Sequence, residues 1–193
     1  MPTFADKPTI TGARVALRPV VASDAASMWA DVHDDEINAF TGTHADFTEE
    51  QISQWCATRI EQGDRLDLAV TDRTTGEWLG EVVVNDWEPD NRSCGFRIAL
   101  SAGARDRGVG TEATRLLVDY VFSEIDDPPV HRLALEVYDF NPRALTVYER
   151  VGFVREGVLR DALRWQGEHH DAIVMSLLRD DWGADRAAAG SER

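Results

Sequence analysis

The sequence predicts a mixed α/β fold, a single sheet with helices on its faces. Three observations carry this. Short runs of alternating apolar and polar residues rich in β-formers recur along the chain, beginning with Arg14 to Val20 (RVALRPV). Segments with apolar residues at helical spacing stand between those runs, the clearest being Val109, Ala113, Leu116, Leu117, Tyr120 and Val121. The two kinds interleave as strand, two helices, three strands, helix, strand, helix and two strands, an order suited to helices packed on both faces of a sheet.

Each element has its own warrant. After the first strand, Ser23 or Asp24 caps a helix running to about His33. Asp46-Phe47-Thr48 opens a second helix, with Thr48 and Gln51 at capping-box spacing and Gly63 as its end. Leu66 to Val70 and Trp78 to Val84 read as a hairpin around Thr74-Thr75-Gly76, and Ser93 to Leu100 follows the Asp90-Asn91 turn as the third strand of a meander. Asp126-Asp127-Pro128-Pro129 breaks the helix that carries Val109 to Val121, and His131 to Tyr138 returns as an apolar strand. Asn141 as N-cap and Pro142 at the first helical position start a short helix, with Gly152 as its left-handed C-cap. Phe153 to Leu163 and His170 to Leu178 close the fold as a hairpin turning near Gln166-Gly167. Residues 1–182 are expected to form one domain and 183–193 a disordered tail.

Composition narrows the function. With 43% apolar residues over 193 positions the chain can build a real core. Cys56 and Cys94 stand far apart without CxxC or Cys/His ligand spacing, so they read as buried free thiols, and no metal site is expected. The first residues lack the basic and apolar blocks of a signal peptide, and no run approaches the ~20 apolar residues of a membrane span. A reducing, cytoplasmic setting without membrane partner is expected, as monomer or homodimer. The net charge of −15 argues against nucleic acid, which needs clustered Lys and Arg. Seven acidic residues between Asp31 and Glu50, with no Lys or Arg among them, would attract a cationic ligand or simply solvate the surface.

The chemistry-bearing segment is Arg105-Asp106-Arg107-Gly108-Val109-Gly110, which joins a strand to a helix. Glycine lets the backbone approach a phosphate closely, and the unbonded N–H groups at a helix start hold an anion. The segment lacks the Gly-Lys-Ser/Thr ending of a Walker A loop and is not a GxGxxG turn.

Arg105-x-x-Gly108-x-Gly110 resembles the (Gln/Arg)-x-x-Gly-x-(Gly/Ala) pyrophosphate loop of the GNAT acetyltransferases. Downstream, Asn141-Pro-Arg-Ala144-Leu-Thr-Val-Tyr148-Glu149-Arg-Val-Gly152-Phe153 resembles that superfamily's N-x-x-A-x-x-x-Y-E-x-x-G-F motif. The first strand and the closing Asp171-Ala-Ile-Val-Met-Ser-Leu look most like the RimJ/RimL-type branch, whose members acetylate ribosomal protein N-termini. The resemblance implies a mostly antiparallel mixed sheet of about seven strands, parted at a cofactor cleft and flanked by about four helices. It implies acetyl-CoA as co-substrate, with the pantetheine arm on the backbone of Ile98 and Leu100 and the pyrophosphate on the amides of Arg107, Gly108, Val109, Gly110 and Thr111. Arg105 adds charge to that loop, Asn141 would bond the pantetheine, and Arg143 would reach a phosphate.

The resemblance also places Tyr148 as general acid. A phenol with an ordinary pKa of ~10 stays protonated at neutral pH and can donate to a leaving thiolate. Glu136, twelve positions earlier, matches the glutamate base of some ribosomal-protein acetyltransferases, and a carboxylate set in an apolar strand is expected to have a raised pKa. Glu81, Asp86 and a water chain are rivals for that role. His169 and His170 read as turn-proximal, and Trp29, Phe40, Phe47 and Trp55 as helix core. Cys94 has no His partnered with it in sequence, so direct transfer in a ternary complex is favoured over an acyl-enzyme. The expected acceptor is a primary amine, either a protein N-terminus or a small cationic amine. The alternative is a non-catalytic acyl-CoA-binding module, which would need no acid at the sulfur.

Overall fold

Strand alternation and helix capping build most of the architecture. The computed structural model describes residues 3–105 and 107–184. In β2 (Val15–Pro19), Val15 and Leu17 are fully buried and Ala16 between them is half-buried. A two-residue strand, β1 (Ile10–Thr11), pairs with it at the sheet edge. Three helices follow, α1 (Ala25–Val32), α2 (Asp35–Thr41) and α3 (Glu49–Thr58). The meander comprises β3 (Leu66–Asp72), β4 (Trp78–Glu88) and β5 (Ser93–Leu100). Then come α4 (Val109–Glu124), β6 (Arg132–Tyr138), α5 (Pro142–Val151), β7 (Val154–Trp165) and β8 (Glu168–Leu178).

The eight strands form one sheet in the order β1-β2-β3-β4-β5-β6-β8-β7. Every neighbouring pair is antiparallel except β5–β6, which is parallel. The crossover through α4 makes that one parallel contact possible, because parallel neighbours need a long connection. One face of the sheet carries the main core, where Leu68, Val70, Val82 and Val84 pack against Val109, Ala113, Leu117 and Val121 of α4. The other face carries a smaller core of Val20, Met28, Ile52, Cys56 and Ala69 beneath α1 and α3.

Within the predicted fold, the elements differ from expectation in detail. The sheet has eight strands where about seven were expected, since β1 is two residues long and exists only through its pairing with β2. Three helices, not two, stand between β2 and β3, and with α4, α5 and a last helix over residues 179–184 they make six among the described residues. The extra helix, α2, buries only Ile37, so no apolar period announces it. The second predicted helix ends at Thr58 with a tight turn over Arg59–Glu61 and does not reach Gly63. Of the expected tail, residues 185–193 lie outside the described residues, and Gly183 and Ala184 end a helix that begins at Arg179.

Candidate active site

The central event in the sheet is a parting of β5 from β6. Their ladder runs only from Ser93↔Arg132 to Gly95↔Ala134. Beyond that point β5 stays paired with β4 as far as Gly80↔Leu100, and β6 stays paired with β8 as far as Tyr138↔Ala172. Each half of the sheet thus satisfies its outer edge, and the two inner edges diverge around a cavity of about 820 Å³. The phase of the β4–β5 ladder is fixed where the Ser101 amide donates to the Leu79 carbonyl at 3.0 Å. Odd-numbered residues of β5 therefore bond β4, and the backbone groups of Phe96, Ile98 and Leu100 face the opening. The Leu100 carbonyl is already engaged there, accepting from Arg105 Nε at 3.2 Å.

α4 begins at the floor of this opening. Gly108 is its N-cap, with φ +76°, a left-handed conformation that L side chains rarely adopt. A Cβ on Gly110 would stand 3.3 Å from Leu100 Cδ1. The first turn ends in the bond from the Glu112 amide to the Gly108 carbonyl at 3.1 Å. The amides of Val109, Gly110 and Thr111 precede that bond and have no helical acceptor. Gly108, Gly110 and Thr111 line the cavity, while the Val109 side chain is buried in the main core. Glu112 holds the turn against β2, accepting from the Arg14 amide at 2.8 Å.

The two arginines of the loop stand differently. Arg105 lines the cavity, but its guanidinium is paired with Glu36 and lies 3.8 Å from Asp34, both at the start of α2. The guanidinium meets these carboxylates and the Leu100 carbonyl, and its Nη2 is buried without a hydrogen-bond partner. Arg107 is exposed, and its guanidinium donates to the Gly103 carbonyl at 3.4 Å. Asp106, between them, lies outside the described residues.

α5 supplies the opposite wall. Asn141 lines the cavity and caps the helix, its Oδ1 accepting from the Ala144 amide at 3.1 Å. Arg143 also lines the cavity. Tyr148 is only 6% exposed, set edge-on to Phe96 and near Phe153, with its residue on the cavity wall. Burial pushes its hydroxyl pKa well above the ordinary value, so the phenol keeps its proton.

The carboxylates sort by burial. Glu136 lines the cavity but is exposed on β6, so the apolar enclosure expected for it is absent. Its neighbours Leu135 and Val137 point into the main core, and period-2 alternation turns Glu136 to the other face. Asp86 lines the cavity at a bulge in β4, with φ +52° and a hydrogen bond from Asn85 Nδ2 at 2.9 Å. Glu81 is buried outside the lining, its Oε1 3.1 Å from Arg97 and its Oε2 without a hydrogen-bond partner. Burial raises its carboxyl pKa, and Arg97 opposes that shift.

The acidic stretch between Asp31 and Glu50 is engaged in part. Asp31 accepts from Trp78 Nε1 at 2.7 Å and from Ser101 Oγ at 2.8 Å, and Asp34 caps α2 through the Ile37 amide at 2.9 Å. With Glu36 on Arg105, three of the seven are engaged by protein groups, while Asp35, Asp46, Glu49 and Glu50 are exposed. Trp29, Phe47 and Trp55 pack on the smaller core as expected, whereas Phe40 lines the cavity. His170 stands 3.3 Å from Asp139 and edge-on to Phe140. Both cysteines are buried, and burial raises Cys56 to about 11 and Cys94 to about 12. No helix among the described residues is long and apolar enough to cross a membrane. No group of three or more His, Cys, Asp or Glu among them is placed to hold a metal ion.

Sequence reasoning overlooked Arg97, which lines the cavity from β5. The available signal was its place in SCGFRIAL, a charged residue at the outward phase of a strand whose other face is apolar.

A parted sheet, an amide-bearing helix start at the cleft floor and a buried phenol on the facing helix meet at one cavity, the arrangement that the resemblance to the GNAT acetyltransferases implies. The chain belongs to the GNAT acetyltransferase family, since the profile of the acetyltransferase (GNAT) domain matches residues 14–154. It is similar to the Bacillus subtilis (strain 168) protein YdaF, 30% identical over 111 residues that span 58% of this chain and 59% of YdaF. It is 28% identical to the spermidine N(1)-acetyltransferase of Escherichia coli (strain K12) over 68% of this chain and 73% of that one. The fold superposes on a spermidine N-acetyltransferase from Vibrio cholerae, crystallised with CoA and spermine. That match has a TM-score of 0.81 at 20% identity, covering 89% of this chain and 99% of the other.

Proposed function

We propose that the chain is an N-acetyltransferase that moves the acetyl group of acetyl-CoA directly to a primary amine in a ternary complex. The observation that carries this reading is the convergence on one cavity of the α4 start, the open inner edge of β5 and Tyr148. The donor fits the residues present. Gly108 and Gly110 keep side chains away from the helix start, and unbonded amides there suit a diphosphate. The backbone of Ile98 faces the opening and suits an amide-bearing arm, with Asn141 across from it. Leu100 offers its amide, because Arg105 holds its carbonyl.

The bound coenzyme supplies an activated thioester. Nitrogen of the neutral amine forms a bond to the carbonyl carbon, the carbon–sulfur bond breaks, and the departing sulfur takes the Tyr148 proton. Glu136, exposed in the same cavity, receives the proton lost by the amine, directly or through water. Glu81 is not suited to that task, because its ion pair with Arg97 and its burial keep it off the cavity wall. Residues 1–182 act as one domain on a continuous sheet, and the buried free thiols suit the cytoplasm.

The test is thiol release from acetyl-CoA across a panel of N-terminal peptides, polyamines and amino acids, with the acetylated product identified by mass. The reading predicts amine-dependent release and a matching mass gain. Coenzyme binding with no release for any amine in the panel would leave the fold a binding module.

A further inference from the structure

The point where the sheet opens is flanked by opposite charges at the same level. Gly95↔Ala134 is the last paired position of β5 and β6. Two residues on, Arg97 and Glu136 occupy equivalent places, one on each side of the split. Both line the cavity, and both lie on the face opposite the main core, since Phe96, Leu135 and Val137 are buried in that core. They make no ion pair with each other among the described residues; the carboxylate partner of Arg97 is Glu81.

Glu81 explains how Arg97 is held. It sits on the same face of the neighbouring strand, in a sheet register of Glu81↔Ala99 and Val83↔Arg97. Its side chain is buried, yet one carboxylate oxygen has no hydrogen bond. Burying a carboxylate so incompletely satisfied is a poor way to gain stability. It is a good way to fix an arginine, because the ion pair uses one edge of the guanidinium. An arginine has five N–H donors in a rigid fork, and the Arg97 side chain remains 48% exposed, so donors remain toward the cavity. Of the acidic residues between Asp31 and Glu50, Asp31 is engaged by Trp78 and Ser101 and Glu36 by Arg105, while Asp35, Asp46, Glu49 and Glu50 stand exposed and face solvent.

Resting on the acetyl-transfer reading above, the geometry points to a carboxylate subsite at Arg97, so that the acceptor is a zwitterion of the α-amino acid type. Its amine lies toward Glu136 and its carboxylate on the guanidinium of Arg97, the molecule bridging the split. Arg97 is a specificity-determining residue in this arrangement, and Glu81 a positioning residue that acts through it. A diamine of similar length would place a second cation against Arg97 and is disfavoured.

The experiment compares L-alanine, L-alaninamide and putrescine as acceptors with wild type, Arg97→Lys and the double variant Glu81→Gln/Arg97→Gln. The double variant removes both buried-pair charges together, so no carboxylate is stranded in the interior. The wild type is expected to prefer alanine. In the double variant the alanine-to-alaninamide ratio of kcat/KM falls at least about tenfold, the loss lying in KM, and Arg97→Lys falls between. An unaltered ratio, or a wild type that prefers alaninamide or putrescine, overturns the subsite while leaving acetyl transfer in place. Calorimetry of alanine binding to the CoA-loaded protein separates the opposite failure. Arg97-dependent binding without thiol release keeps the subsite and refutes the transferase reading, and no measurable alanine binding refutes the subsite.

Discussion

The two sides of the cleft are built by different rules. The side made by α4 and α5 is local: Gly108 caps its own helix, Asn141 bonds the Ala144 amide three residues on, and Tyr148 stands on the same ten-residue helix. The side made by β4, β5 and the first helices is assembled from afar. Asp31 meets Ser101 across 70 positions, Arg105 meets Glu36 across 69, and Glu81 meets Arg97 on the next strand. The local side carries the expected coenzyme and proton chemistry, and the assembled side carries the contacts that would discriminate one amine from another. A fixed donor with variable acceptors needs this division, because short motifs can keep one side constant while remote pairings are redrawn on the other.

The largest effect should come from the local side. Tyr148→Phe removes the buried hydroxyl with almost no change of volume, and kcat should fall about 100-fold or more while coenzyme affinity holds within about twofold. Stopped-flow thiol release beside calorimetry checks this, and a retained rate would strip the α5 side of its chemical role. Gly108→Val comes next. A β-branched residue at φ +76° is strained by about 1–2 kcal/mol or more and intrudes on Arg14 Nη1, 2.9 Å from the position of the new Cβ. Coenzyme affinity should drop at least about tenfold, and unchanged binding would remove the helix start as a phosphate site. Asn141→Ala should cost about 1 kcal/mol of stability as a lost N-cap. It should also raise the KM for acetyl-CoA, which an effect confined to capping would not do.

The smallest effect tests the assembled side. Burial raises the Glu81 carboxyl pKa, so the group binds a proton more readily in the folded than in the unfolded state. Such a group contributes stability at pH below its ordinary value of 4.5 and loses it as pH climbs through the higher folded value. Relative to wild type, Glu81→Gln should therefore gain in melting temperature as pH rises from about 5 to about 8. A difference that is flat with pH, or that runs the other way, would mean the Arg97 pair outweighs burial at this position.

How much was legible follows the same line. The capping box of Thr48 and Gln51 was read from spacing and appears with both bonds formed, 2.8 and 3.2 Å long. Asn141, Pro142 and Gly152 bound α5 as their residue types require. The helix α2 escaped notice although Asp34 and Gly42 cap it, because its single buried residue leaves no period to detect. The apolar residues that flank Glu136 suggest an enclosed carboxylate. Strand alternation turns it outward instead, and flanking residues say nothing about enclosure on a strand face. The motif puts the charge of Arg105 in the loop, and no sequence spacing could show Glu36 and Asp34 beside it.

By itself the sequence determined the order of most elements, the glycine turn at the start of α4 and the capped helix that bears Tyr148. These depend on backbone dihedrals and hydrogen bonds spanning three or four residues, which residue type fixes directly. Only the tertiary structure decided where β5 leaves β6, which face Glu136 and Arg97 share, and which carboxylate takes which arginine. Those outcomes rest on strand register and on desolvation, and both are properties of neighbours brought together from distant parts of the chain.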